Sequence, residues 1–188
     1  NNDRGPALAD RIDRTGSPVS NLYCQECHSA GNFSPSITSE LRDAQNNVVL
    51  HYTPGATYTF TATMAHGSGS PAGYGIQATA LFTNKANAGI FSNAPTGYHL
   101  ATLNSRQYCE LSSRRTTPGM TVTWTAPATA NGSITFYCAG ICANGNGGTS
   151  LDGSAKTALV ISPITAVENV LNNQISIYQE DLHKLNED

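Results

Sequence analysis

Residues 56–66, ATYTFTATMAH, decide the fold class of this chain of 188 residues. In this stretch apolar residues alternate strictly with threonines: Tyr58, Phe60, Ala62 and Met64 against Thr57, Thr59, Thr61 and Thr63. Successive side chains of a β-strand point to opposite faces of the sheet. The stretch therefore predicts a strand with one face in a core and a row of threonines in water.

The same period of two recurs in eight further segments: residues 37–41, 48–52, 74–82, 99–103, 107–111, 120–125, 133–138 and 155–161. Turn formers lie between them, such as Pro54-Gly55, Pro118-Gly119 and Asn131-Gly132. Many short strands at this spacing are typical of an antiparallel, immunoglobulin-like β-sandwich. We expect an all-β fold.

The composition and periodicity of the sequence divide the chain into three parts. Residues 1–35 contain scattered proline and glycine with no sustained period, so we expect an irregular segment there. Residues 36–162 are the expected sandwich. Residues 163–188 carry a capping box, Thr165 with Glu168, and an apolar stripe that predicts an amphipathic helix, although residues 174–179 could also pair as a strand.

The composition excludes some functions. Charged residues make up 12% of the chain and the net charge is -3, so we expect no nucleic-acid partner. The apolar runs are too short for a membrane span. A chain rich in threonine, serine, asparagine and glycine favours an exported protein, secreted, at the cell surface or periplasmic, whose leader we expect to be already removed.

The segment Cys24-Gln25-Glu26-Cys27-His28 carries the chemistry, in a chain with 5 Cys and 5 His. Two thiols separated by two residues can reach the two vinyl groups of a haem, and the histidine that follows can bind its iron. The pattern C-x-x-C-H is therefore typical of c-type haem attachment. We expect Cys24 and Cys27 to hold haem c and His28 to be the proximal iron ligand.

Three other interpretations of this motif stay open. A redox dithiol would need its first cysteine at the start of a helix in a βαβ unit, and the sequence contains no such unit. A zinc site would combine Cys24 and Cys27 with Cys138 and Cys142, which leaves His28 unexplained. A local disulfide, with His28 solvated, is the alternative without a cofactor.

If the motif binds haem, three cysteines remain: Cys109, Cys138 and Cys142. On an extended strand Cys138 and Cys142 would stand roughly 13 Å apart, too far for a disulfide unless Gly140 bends the chain. Alternatively, Cys109 pairs with one of them across neighbouring strands. We expect a disulfide in one of these two ways.

Several stretches resemble the bacterial family called choice-of-anchor V. The most specific are residues 13–31, DRTGSPVSNLYCQECHSAG, and residues 121–147, TVTWTAPATANGSITFYCAGICANGNG, and the resemblance covers roughly residues 13–162. The resemblance implies a reeler-like β-sandwich of an exported protein. Members of the family often carry CxxCH just ahead of the first strand. The chain departs from the family at Cys138 and Cys142, where members have small residues, and at Leu111, where members often have a histidine.

A second axial ligand decides whether a haem iron only carries electrons or also binds a small molecule. The candidates are His51, His66, His99, His183, Met64 and Met120. If the first strand pairs antiparallel with residues 57–64, His66 approaches His28. A hairpin of the first strand with residues 48–52 would bring His51 to the same end. We therefore expect His66, or else His51, as the distal ligand.

The sequence thus predicts an exported monohaem c-type cytochrome that exchanges electrons with redox partner proteins. We expect no enzymatic activity, because no nucleophile, acid or base stands out. The apolar stripe after residue 163 favours a homo-oligomer or filament, since such a stripe usually finds a partner, although it could pack on its own sandwich. The alternative function is a haem-free, disulfide-stapled extracellular module for adhesion or assembly.

Overall fold

The computed structural model describes residues 5–164, in which the chain forms eleven strands and two short helical segments. Helix α1 spans Pro6–Ala9, and one 3-10 turn spans Cys24–Glu26. The strands are β1 Ser29–Ala30, β2 Pro35–Arg42, β3 His51–Tyr52, β4 Thr57–His66, β5 Gly73–Phe82, β6 Ile90–Ser92, β7 Tyr98–Leu103, β8 Arg106–Leu111, β9 Gly119–Thr125, β10 Ile134–Ala143 and β11 Ser150–Pro163. The terminal helix expected over residues 163–188, and with it His183, falls almost entirely outside the described residues.

The strands form two sheets, which confirms the expected all-β sandwich. The larger sheet has the order β1-β11-β10-β5-β8-β7, with β3 also paired to β11, and the smaller sheet has the order β2-β4-β9-β6. All pairings are antiparallel except those of β1 and β3 with β11. Pro35 of β2 pairs with His66 of β4, the antiparallel arrangement that the choice of His66 assumed.

The core lies between the two sheets and is built from the apolar half of each alternating strand. Phe60 of β4 is fully buried and stacks on Phe136 of β10, with ring centroids 4.6 Å apart. Trp124 of β9 packs edge-on against Phe136 and donates its indole N–H to the carbonyl of Ala88 at 3.0 Å. The threonines of β4 face the other way, and Thr61 lies 3.2 Å from the hydroxyl of Thr121.

The N-terminal segment covers the outer face of the larger sheet, and β5 is therefore buried on both faces. The carboxylate of Glu110 accepts hydrogen bonds from the backbone N–H groups of Ala7 and Leu8, each at 2.9 Å. The side chain of Gln77 accepts another from the backbone N–H of Arg14 at 2.8 Å. These polar contacts hold the irregular chain against β5 and β8.

The strands differ from expectation at several places. β1 lies in the segment expected to be irregular, and β11 begins at Ser150 instead of residue 155. Val48 bridges to Arg42 as the hairpin required, but β3 then joins the other sheet and runs parallel to the end of β11. The sequence analysis did not predict the short strand β6. Strand β10 continues through Gly140 without a bend. A side chain at this position would come within 2.5 Å of Met64 Sδ, so the glycine permits the two sheets to pack closely.

All five cysteines are free thiols, so the expected disulfide is wrong. Cys109 on β8 and Cys138 on β10 both lie opposite Ala78, with strand β5 between them. Two strand spacings separate their Cα atoms by roughly 9–10 Å, beyond the reach of a disulfide. Cys142 follows Cys138 on the same regular strand, too far along it to pair.

Candidate functional site

The C-x-x-C-H segment forms a single helical turn. Cys27 and His28 both donate their backbone N–H groups to the carbonyl of Cys24, at 3.2 and 2.9 Å. Residues three and four apart on a helical turn lie on one side of it. The turn therefore places the side chains of Cys24, Cys27 and His28 on one side of it.

Strand β11 anchors this turn from its C-terminal side. The backbone N–H of Gly31 donates to the carbonyl of Asp152 at 2.8 Å, and the hydroxyl of Ser154 donates to the carbonyl of His28 at 3.1 Å. A side chain at residue 31 would come within 2.4 Å of the carbonyl oxygen of Leu151, so this close approach requires glycine.

The imidazole of His28 is held by a buried carboxylate. Its Nδ1 lies 2.7 Å from Oδ2 of Asp152, whose side chain is 1% exposed, whereas that of His28 is 27% exposed. A carboxylate only accepts, so the hydrogen of this contact lies on Nδ1, and in the neutral imidazole Nε2 then keeps its lone pair. The other carboxylate oxygen, Oδ1, accepts the backbone N–H of Asn144 at 2.8 Å.

A cavity of about 830 Å³ lies beside this turn, between the N-terminal segment and the outer face of the larger sheet. Cys24, Cys27 and His28 all line it. Its walls combine the apolar side chains of Leu111 and Ile141 with the cationic ones of Arg14 and Arg114. The structure thus brings the three residues of the motif to one wall of one cavity.

The two thiols of the motif differ in their surroundings. Cys24 is partly buried, with its Sγ 3.9 Å from the carbonyl oxygen of Arg14, and burial raises the pKa of its thiol to about 12. Cys27 is exposed. Both are free, so neither joins the other in the local disulfide considered above.

The expected distal ligands do not line this cavity. His51 lies against Ser162 at the far end of β11, roughly 33 Å from Asp152 at the usual rise per residue. His66 is exposed on the smaller sheet, where its Nδ1 lies 3.3 Å from the carbonyl oxygen of Ser68. The antiparallel pairing of β2 with β4, on which the choice of His66 depended, is present. It nevertheless brings His66 to the opposite sheet from the cavity, and the distal role of either histidine stays a prediction.

The other candidates occupy different places. Met64 and Met120 are buried in the core, 2% and 0% exposed. His99 lies 3.1 Å from Glu110 beneath the N-terminal segment. Within residues 5–164 no group of three histidine, cysteine, aspartate or glutamate side chains is arranged to hold a metal ion. The zinc alternative fails in these residues because Cys138 and Cys142 face the core, away from the cavity.

Sequence analysis missed the two buried carboxylates that organise the site. Asp152 is 124 positions from His28 and Glu110 is 103 from Ala7, so no local spacing connects them. The available signal was a lone acidic residue among apolar and small polar neighbours in a strand, in QYCELSS for Glu110 and in SLDGSA for Asp152. Such residues are rarely buried without partners.

No known family model matches the chain, and no curated protein matches it significantly. Among solved structures, the Reelin-N domain of F-spondin is similar with a TM-score of 0.47 and 17% identity, over 76% of this chain and 96% of that chain. The human F-spondin reeler domain (fragment 1) gives 0.44 and 18%, over 73% and 93%. The major subunit of aggregative adherence fimbriae type I from Escherichia coli gives 0.39 and 10%, over 73% and 99%.

Proposed function

We propose that this chain is an exported monohaem c-type cytochrome, with Cys24 and Cys27 bonded to haem c and His28 as its proximal iron ligand. The observation that carries the proposal is that all three side chains line one cavity of about 830 Å³. Clefts of roughly 300–1,000 Å³ are the usual size of small-molecule and cofactor sites.

The residues around the cavity fit this group. Thiols form the covalent links, a neutral imidazole is a common iron ligand, and Asp152 supplies the second hydrogen bond that such a ligand usually has. Arg14 and Arg114 at the cavity wall suit the carboxylates of a haem. Leu111 and Ile141 provide an apolar wall.

When bound, haem c supplies a one-electron carrier at its iron. The chain itself contributes position and surroundings. The turn from Cys24 to His28 fixes the attachment points, Asp152 orients His28, and the apolar wall limits the access of water. No proton transfer or bond cleavage is required of any side chain, and we therefore propose an electron carrier without enzymatic activity, exchanging electrons with redox partner proteins.

We include self-association in this proposal. Leu50 and Val160 are 55% and 57% exposed on adjoining parts of the larger sheet, and exposed apolar groups of this kind often mark contacts. A native mass measurement tests this part: we expect an oligomer or filament, and a monomer at all concentrations would reject it.

A haem-free module for extracellular adhesion or assembly is the second candidate. One observation favours it: the apolar core between the sheets is closed by protein side chains, with Phe60, Trp124 and Phe136 fully buried, and it needs no cofactor. This candidate leaves the meeting of Cys24, Cys27 and His28 at the cavity without a role.

Variants separate the two candidates. The chain is produced in a host with c-type haem-attachment machinery, and its pyridine haemochrome spectrum is recorded. We expect a two-thioether spectrum for the wild type, a shifted one-thioether spectrum for Cys24→Ala or Cys27→Ala, and no covalent haem in the double variant. Cys142→Ala, at a thiol facing the core, is the matched control and keeps the wild-type spectrum. A colourless wild type would leave the haem-free module.

A further inference from the structure

The carboxylate of Asp152 contacts the ring of His28 at Nδ1 and not at Nε2. We propose that Asp152 is a positioning residue: it fixes the His28 tautomer with hydrogen on Nδ1 and strengthens Nε2 as an electron-pair donor. The first part stands on the 2.7 Å contact alone. The second part rests on the proposed function, because it needs iron at Nε2.

Asp152 cannot turn away from His28 without losing other bonds. Its Oδ1 accepts the backbone N–H of Asn144 at 2.8 Å, and its own carbonyl accepts the backbone N–H of Gly31 at 2.8 Å. The side chain of Asn144 in turn donates to the carbonyl of Ser150 at 3.0 Å. Both ends of the carboxylate are therefore engaged, and Oδ2 is aimed at the ring.

His28 is held just as firmly on its backbone side. Its N–H donates to the carbonyl of Cys24 at 2.9 Å, and its carbonyl accepts the hydroxyl of Ser154 at 3.1 Å. With both peptide groups fixed, the ring can change its contact with Asp152 only by rotating its side chain. The Nδ1 hydrogen bond opposes that rotation.

A buried carboxylate is a stronger acceptor than the backbone carbonyl or water that could take its place. A hydrogen bond from Nδ1 to such an acceptor raises the basicity of Nε2. A more basic axial ligand favours the oxidised iron, so Asp152 lowers the reduction potential of the bound haem.

The tautomer is tested first, on haem-free chain produced without the attachment machinery, by ¹⁵N NMR of the imidazoles at a pH where they are neutral. We expect hydrogen on Nδ1 and none on Nε2 of His28. In Asp152→Asn the ratio of the two tautomers falls about tenfold or more, the factor that a charge-assisted hydrogen bond supports. An unchanged ratio, or hydrogen on Nε2 in the wild type, overturns the proposal.

The potential is tested on haem-loaded chain. We expect the midpoint potential to rise in Asp152→Asn. The matched control is Asp13→Asn, which removes a carboxylate that is 3% exposed and bonds to Thr15 and Ser17 instead of His28. A rise no larger than in the control overturns the second part of the proposal.

The two arms also separate this proposal from the proposed function. If the wild type never acquires haem, the proposed function fails, while the NMR measurement still decides whether Asp152 sets the tautomer. If the wild type carries haem and Asp152→Asn changes neither tautomer nor potential, the positioning role alone fails. Should Asp152→Ala be used, its folding is checked by circular dichroism, with Asp152→Asn as the milder variant.

Discussion

Leu151 and Asp152 are chain neighbours with opposite surroundings: the Leu151 side chain is 58% exposed, whereas that of Asp152 is 1% exposed. Leu151 adopts a left-handed backbone conformation, φ 60°, at a shift in the register between β1 and β11. Ser29 pairs with Ser150 and Ala30 pairs with Asp152, so Leu151 is the extra residue of a bulge. This bulge directs Asp152 towards His28.

Leu151→Gly is expected to leave the free energy of unfolding unchanged or to raise it by up to about 1.5 kcal/mol. Relief of the left-handed conformation gains about 1–2 kcal/mol, and the entropy of glycine costs about 0.5–1 kcal/mol. The control is Val160→Gly on the regular part of β11, 57% exposed, which should lose about 1 kcal/mol. Urea denaturation measures both, and equal losses would contradict the bulge.

Glu110→Ala is expected to lower the free energy of unfolding by about 3 kcal/mol, because it leaves four buried or partly buried donors without their acceptor. These are the N–H groups of Ala7 and Leu8, each at 2.9 Å, and the side chains of Gln77 at 2.7 Å and His99 at 3.1 Å. The N-terminal segment should also become sensitive to trypsin at Arg11 and Arg14.

The matched control for Glu110 is Glu40→Gln. Glu40 bonds Arg42 at 2.7 Å, but the pair is exposed, and exposed pairs contribute little. We expect a change of less than about 1 kcal/mol and no new trypsin cleavage. If Glu110→Ala behaved like Glu40→Gln, the docking of the segment by Glu110 would be wrong.

The thiols should separate by reactivity. Burial raises the pKa of Cys109 to about 12 and that of Cys142 to about 11, and it also raises the pKa of Cys138 well above its usual value. These groups stay protonated at neutral pH, and only the thiolate is alkylated. Iodoacetamide should therefore modify exposed Cys27 first in the folded, haem-free chain.

Unfolding provides the comparison for that experiment. In guanidinium the haem-free chain should take up five alkyl groups, and the haem-loaded chain three. Mass spectrometry counts them. Rapid modification of Cys109 in the folded chain, or fewer groups after unfolding without reduction, would contradict the free, buried thiols.

Much of the sandwich could be predicted because alternation along a strand is a local property. Residues 57–64 and 120–125 carry their inward faces in the sequence itself, and both became strands of the smaller sheet. The predicted segment ended at residue 138, short of the end of β10. A glycine at position 140 is compatible either with a bend or with close packing, and only the approach of Met64 from the other sheet distinguishes the two.

The candidate site was predictable only in part, for the same reason. The C-x-x-C-H spacing is local, so Cys24, Cys27 and His28 could be singled out. The contact of His28 with Asp152 depends on how β1 joins β11, and the cavity depends on how Glu110 docks the N-terminal segment. His51 was expected near the motif because a hairpin of β3 with β2 would place it there. The crossing of β3 to the other sheet has no local signal in the sequence.

The most direct test of the haem proposal is the intact mass of the chain after denaturation and reduction, from a host able to attach haem c. Thioether bonds survive both treatments, so we predict the mass of the chain plus one haem. The mass of the bare chain would contradict the proposal, whatever colour the folded protein had.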